Sequence, residues 1–136
     1  MVLTNPNDDC RQPNWSPAGN KILYQRFDGS QWNIWTVNTD GSGALQITSG
    51  QGDKTDASFS PDGAWIVYSS DEGELDYANI FIIPSGGGSS RRVTNWGGYD
   101  GAPSWSPDGS KIIFESYPGD PDDSKGIAIW MIDAPI

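Results

Sequence analysis

With 136 residues, a formal net charge of −10 and an apolar content of 35%, the chain can form one domain with a modest core, but it suits neither nucleic acid nor an anionic membrane surface, because its own field repels phosphate. The absence of histidine excludes Ser-His-Asp and Cys-His catalysis and His-ligated zinc, and the single cysteine, Cys10, excludes an intrachain disulfide and a cysteine-rich metal cluster. No apolar run approaches a membrane span, and Met1-Val2-Leu3-Thr4-Asn5-Pro6 lacks the basic and apolar regions of a signal peptide, so none is expected in this chain.

In chain order, Val2-Leu3-Thr4-Asn5 is a short strand candidate standing alone. The first repeat follows over 9–49. Trp15-Ser16-Pro17-Ala18-Gly19 makes a turn, a second strand carries Ile22 and Tyr24, a third carries Ile34 and Trp35, and Leu45-Gln46-Ile47-Thr48 is a fourth. Over 53–95 the pattern returns as Phe59-Ser60-Pro61-Asp62-Gly63, then Ile66 and Tyr68, then Ile80 and Phe81, then Arg92-Val93-Thr94. Gly86-Gly87-Gly88-Ser89-Ser90 joins two strands and reads as a hairpin loop, not a phosphate cradle, which would open a helix. Over 99–136 a first strand at 102–106 leads to Trp105-Ser106-Pro107-Asp108-Gly109, a second strand at 111–117 with Ile112 and Phe114, and a third at 127–132 with Ile129 and Trp130. No fourth strand follows in this third repeat.

The turn prolines Pro17, Pro61 and Pro107 are 44 and then 46 residues apart, the period of one four-stranded propeller blade. Gly and Pro turns between alternating strands make the fold class all-β. Trp15, Phe59 and Trp105, with Trp35, Phe81 and Trp130, are expected to pack blade on blade. Writing the four strands of a blade as a to d, the chain reads d, abcd, abcd, abc: twelve strands, three blade equivalents, cut out of phase. Propellers typically need about four or more blades to close. An open arc would leave two aromatic-rich faces and an unpaired edge. The expected solution is a homo-oligomer closed by strand exchange, in which Val2, Leu3 and Thr4 of one copy complete the blade of the next beside Ile129, Trp130 and Met131. Two copies give about six blades and three about nine.

The segments Pro103-Ser104-Trp105-Ser106-Pro107-Asp108-Gly109-Ser110-Lys111-Ile112 and Thr39-Asp40-Gly41-Ser42-Gly43, the latter leading to Ile47-Thr48, resemble the WD-like Pro-Asp repeat of TolB-type propellers, which also occurs beside prolyl-oligopeptidase-like catalytic domains. The resemblance implies a six-bladed ring, favouring a homodimer over a homotrimer, and an envelope protein-interaction role in a periplasmic or secreted setting. The chain departs from that family in three ways. Ala18 replaces the turn Asp, so that turn is expected to lose its side-chain cap while keeping Gly19. Half the usual blades are present, and the N-terminal domain of TolB proteins is not. A fragment, a half-propeller gene or an engineered self-assembling chain would have this layout.

In a propeller the d–a and b–c connections share one face. Here they carry Asp8, Asp9, Asp53, Asp56 and Asp100, and Asp28, Asp71, Glu72, Glu74, Asp76, Asp120, Asp122 and Asp123: 13 of the 18 acidic residues, against Arg11, Arg26, Lys54 and Lys125. The sharper expectation is a cation-attracting rim holding calcium, with Asp56, Asp100 and Asp9 as ligands. The plainer one is that aspartate suits solvated turns. Asp120-Pro121-Asp122-Asp123-Ser124-Lys125-Gly126 has its glycine out of place for a calcium loop and no terminal Glu, and reads as an ordinary loop. No pair of carboxylates is singled out for glycoside chemistry, and Cys10 has no His to activate it. The expected function is therefore a non-catalytic binding or scaffold module without a cofactor, whose partners are itself and a basic protein or peptide on the acidic loop face. A propeller enzyme or enzyme-associated domain using channel carboxylates and calcium is the alternative.

Overall fold

The computed structural model describes residues 1–117 and 126–136. Among the described residues, eleven strands form three antiparallel sheets. Sheet one holds β1 (Asp9–Trp15), β2 (Lys21–Phe27), β3 (Trp32–Asn38) and β4 (Leu45–Gln46), in that order. Sheet two holds β5 (Lys54–Phe59), β6 (Trp65–Ser70), β7 (Asn79–Pro84) and β8 (Arg91–Arg92). Sheet three holds β9 (Tyr99–Trp105), β10 (Lys111–Tyr117) and β11 (Ala128–Asp133). The three sheets are the three predicted blades.

Some expected boundaries move. β9 begins at Tyr99, three residues before 102, because Tyr99, Asp100 and Gly101 pair with Tyr117, Ser116 and Glu115. The outer strands shrink to two residues each, though Ile47 N still donates to Ile34 O at 2.8 Å and Val93 N to Ile80 O at 2.7 Å. Val2–Thr4, expected as a twelfth strand, has no strand partner among the described residues. The loop 120–125 lies outside the described residues.

Turn chemistry sets each blade's first hairpin in the same way. Ser16, Ser60 and Ser106 each receive a backbone bond from Gly19, Gly63 or Gly109 at 2.9 Å. Those glycines sit at φ of 72° to 74°, a region that any Cβ disfavours. Asp62 and Asp108 add a cap, accepting from Ser60 Oγ and Ser106 Oγ at 2.6 Å. In the first repeat, where Ala18 stands, Ser16 Oγ turns instead to Asn20 Oδ1 at 3.1 Å. The turns also stack along the blade series. A Cβ placed on Gly63 would lie 4.0 Å from Pro17 Cδ, and one on Gly109 would lie 3.7 Å from Pro61 Cδ.

A bulge recurs in every innermost strand. The register slips between Arg11 and Asn14, between Thr55 and Ser58, and opposite Ile113 to Glu115. The residues at the slip, Gln12, Asp56 and Ala102, all carry left-handed backbone at φ of 53°, 56° and 46°. Strand alternation then sends one side of each blade toward the next. Leu23, Ile34 and Ile47 of the first blade pack on Ala57, Ile66, Tyr68 and Phe81 of the second. Val67, Ile80 and Ile82 of the second pack on Trp105, Ile112 and Phe114 of the third. The core is thus two equivalent interblade layers, each buried aliphatic side chain contributing roughly 1.5–3 kcal/mol.

Candidate functional site: the acidic loop face and the open blade faces

The entry to each innermost strand is built on one device with three different chemistries. Cys10, Lys54 and Asp100 occupy equivalent positions at the starts of β1, β5 and β9. Asp100 is fully buried. Its Oδ2 accepts from Thr94 Oγ1 at 2.6 Å and Asn79 Nδ2 at 3.2 Å, and its Oδ1 from Trp96 Nε1 at 2.8 Å. This carboxylate ties the outer part of the second blade to the inner strand of the third. It does not face the loop-side solvent, as a rim ligand would.

Lys54 is also fully buried, and its Nζ donates to the carbonyls of Gly50, Gln51 and Gly52 at 2.8, 2.8 and 2.9 Å. Glu72 lies 4.0 Å away. Burial pulls the ammonium below the ordinary lysine range, against the opposing pull of Glu72, Asp71 and Asp53. Cys10 is half-buried and hydrogen-bonded to the Thr4 side chain, and burial pushes its thiol up. It is a packing residue with a raised pKa, the opposite of an activated nucleophile.

The other carboxylates of this face mostly hold the loops. Asp28 Oδ1 caps the β2–β3 turn through Ser30 N and Gln31 N, at 2.9 and 3.0 Å. Asp53 accepts from Trp32 N at 2.9 Å, and Asp71 accepts from Asp53 N at 2.8 Å. Glu72 accepts from the Tyr68 hydroxyl at 3.2 Å and Ser90 Oγ at 2.7 Å. Asp9 forms a two-pronged pair with Arg11 at 2.8 and 3.0 Å, exposed and so screened by solvent. Arg26 sits over the Trp35 ring at 4.9 Å with Asp8 3.1 Å from its Nε, on the wall of a cleft of about 590 Å³.

The three residues expected to share a metal are not brought together. Asp9 is paired with Arg11, Asp100 is enclosed by Thr94, Asn79 and Trp96, and Asp56 occupies the bulge position two residues beyond the equivalent of Asp100. Among the described residues no group of three or more His, Cys, Asp or Glu converges as ligands. What does converge on the inner strand of the third blade is Tyr99 over Gly101, its hydroxyl donating to Glu115 Oε1 at 3.1 Å. Burial first, then the Glu115 bond and the neighbouring charges of Asp56 and Asp100, push Tyr99 up to about 12.

Sequence reasoning missed Lys54, Thr94, Asn79 and Trp96. A signal for the device was present: Thr4, Thr48 and Thr94 each precede Cys10, Lys54 and Asp100 by six residues.

The blade-packing set divides by position in the series. Trp105 is 8% exposed and Phe59 is half-buried, yet the equivalent Trp15 is 67% exposed, since among the described residues no blade stands against it. At the other end Ile113, Ile129 and Met131 are 43%, 74% and 63% exposed. Their equivalents Leu23, Ile34 and Thr36, and Val67, Ile80 and Ile82, are at most 1% exposed. Trp130 keeps a ring contact, tilted by 41° to Trp96 with centroids 5.7 Å apart.

Residues 1–117 match the TolB beta propeller domain family. The Tol-Pal system protein TolB of Francisella tularensis subsp. mediasiatica (strain FSC147) is 31% identical over 81 residues, 60% of this chain and 19% of that protein. The structure of putative TolB from Agrobacterium tumefaciens aligns with a TM-score of 0.82 at 27% identity, over 96% of this chain and 47% of that one. TolB from Acinetobacter baumannii aligns with a TM-score of 0.76 over 90% of this chain and 29% of the other, and at 24% identity shows the shared fold alone. The chain spans 19% of the curated relative and 47% of the first of these structures.

Proposed function

This chain belongs to the TolB beta propeller domain family, and we propose from that premise that it is a non-catalytic binding module whose ring is completed by further copies of itself. Two copies are favoured by the six-bladed pattern of the resemblance, and three are the next choice. The observation carrying the reading is the contrast at one repeat position: Ile34 and Ile80 are 0% exposed and Ile129 is 74% exposed. A face of that composition associates in water, since each isoleucine left exposed forgoes roughly 1.5–3 kcal/mol. Light scattering on the purified chain tests it. A mass of two or three chains is expected, and a monodisperse monomer overturns the reading.

The resemblance to TolB-type propellers, together with relatives named as Tol-Pal system protein TolB, supports a second aspect of the same role, protein interaction at the cell envelope, with a periplasmic location. The acidic loop face suits a basic protein or peptide, attracted by the unbalanced charge. Titration with an oligolysine peptide is expected to show binding that high salt abolishes, and salt-independent or absent binding removes the loop face from the proposal. No cofactor enters this reading.

A further inference from the structure

We infer that the two open blade faces are the two halves of one interface between copies, and that residues 2–4 of one copy pair with β11 of a second copy in a register set by the internal repeat. The inference rests on the ring-completing reading and adds to it the surface, the contacting residues and the pairing.

The first support is where residues 2–4 already sit. The backbone oxygen of Leu3 lies 3.6 Å from a Cβ built on Gly41. The equivalent glycine of the second blade, Gly87, meets the backbone oxygen of Ile47 at 3.5 Å. Leu3 therefore stands against the first blade as Ile47, following the outer strand of the first blade, stands against the second. The same equivalence holds one residue on: Thr4 bonds Cys10 as Thr94 bonds Asp100. The segment is thus held by its own first blade in the pose of a preceding blade's fourth strand, although that blade is not in the chain.

The second support is the unpaired edge and face that match it. In the first two blades the third strand receives a recurring set of bonds. Gln46 lies opposite Trp35 and Arg92 opposite Phe81. Ile47 N donates to Ile34 O and Val93 N to Ile80 O, at 2.8 and 2.7 Å. Ile34 N and Ile80 N donate to Thr48 Oγ1 and Thr94 Oγ1, at 2.9 and 3.0 Å. Carried to the third blade, this places Val2 of a second copy opposite Trp130, with Leu3 N donating to Ile129 O and Ile129 N donating to Thr4 Oγ1. Ile113, Ile129 and Met131 then meet the face bearing Trp15, Ile22 and Tyr24, reproducing the two layers already inside the chain. Pro107 reaches Gly19, around whose Cβ position nothing lies within 4 Å, as Pro17 reaches Gly63. A second copy is the occupant because both halves are on this one chain and its two internal interfaces are the same contact repeated.

The test mixes two purified variants in a Cys10→Ser background, one carrying Val2→Cys and the other Trp130→Cys, under mild oxidation. Strand neighbours at this spacing fall within disulfide reach. The expected product is a covalent pair between unlike chains, with each variant alone giving little. In parallel, Ile129→Asp alters a side chain that carries little of the single chain's packing. It is expected to leave the β-sheet circular dichroism intact while reducing the light-scattering mass to one chain. If the parent is oligomeric but the unlike chains fail to cross-link, or Ile129→Asp stays oligomeric, this interface is overturned while ring completion by another surface stands. A monomeric parent overturns both.

Discussion

In the third repeat, one carboxylate oxygen organises the first hairpin: Asp108 Oδ1 accepts from Ser106 Oγ, Ser110 N and Ser110 Oγ at 2.6, 3.0 and 2.8 Å. These bonds, the Ser106 hydroxyl foremost, hold the Asp108 carboxyl down to about 2 from the ordinary 3.8. Because the folded-state pKa is depressed, the stabilisation is complete above the unfolded value and is lost as pH falls through about 2. Asp108→Asn is therefore expected to lower the melting temperature at neutral pH, with the gap to the parent narrowing between pH 4 and pH 2 in circular-dichroism melts. The mirror experiment lies in the first repeat. Ala18→Asp supplies the cap that Ser16 now lacks and is expected to raise the melting temperature by roughly 2–4 °C.

At the scale of the elements, the entries to the inner strands show how one backbone position accommodates three chemistries. Asp100 joins two blades through three bonds, and Lys54 gathers three carbonyls of a single loop. Asp100→Asn keeps the shape but sets an amide N–H₂ against groups that donate. It is expected to cost about 2–4 kcal/mol in urea unfolding. Lys54→Met keeps volume but leaves three carbonyls without their donor, and about 2–3 kcal/mol is expected. Tyr99 contributes at the alkaline end. Its raised pKa means that its contribution is fully present below pH 10 and is lost as pH climbs to about 12. Tyr99→Phe is expected to flatten that part of the stability profile, as measured by denaturation at stepped pH.

The whole molecule presents two dissimilar ends of one repeating series, and its behaviour in solution follows from that asymmetry. If the copies complete a ring, folding and association are linked, so the melting temperature should rise with protein concentration by mass action. Removing residues 1–6 is expected to abolish the closed oligomer and that concentration dependence together, read by light scattering and by melts over a dilution series. A deletion that leaves both unchanged shows that the segment does not pair between copies.

The all-β class, the three repeats, their turns, and the Asp caps with their loss at Ala18 were legible in the chain. Each depends on short-range chemistry: alternation of period two, glycine at left-handed φ, and a carboxylate two residues from a serine. What could not be read was the inward turn of Asp100 and the burial of Lys54, since Asp and Lys in a loop ordinarily face water and their partners lie elsewhere in the chain. Trp15 and Trp105 make the point most sharply. They are the same residue at the same repeat position, yet one is 67% exposed and the other 8%. Sequence by itself determined that each blade has two apolar sides. Only the tertiary structure decided which of them are covered, because a repeat specifies its own faces while burial depends on whether a neighbour stands against them.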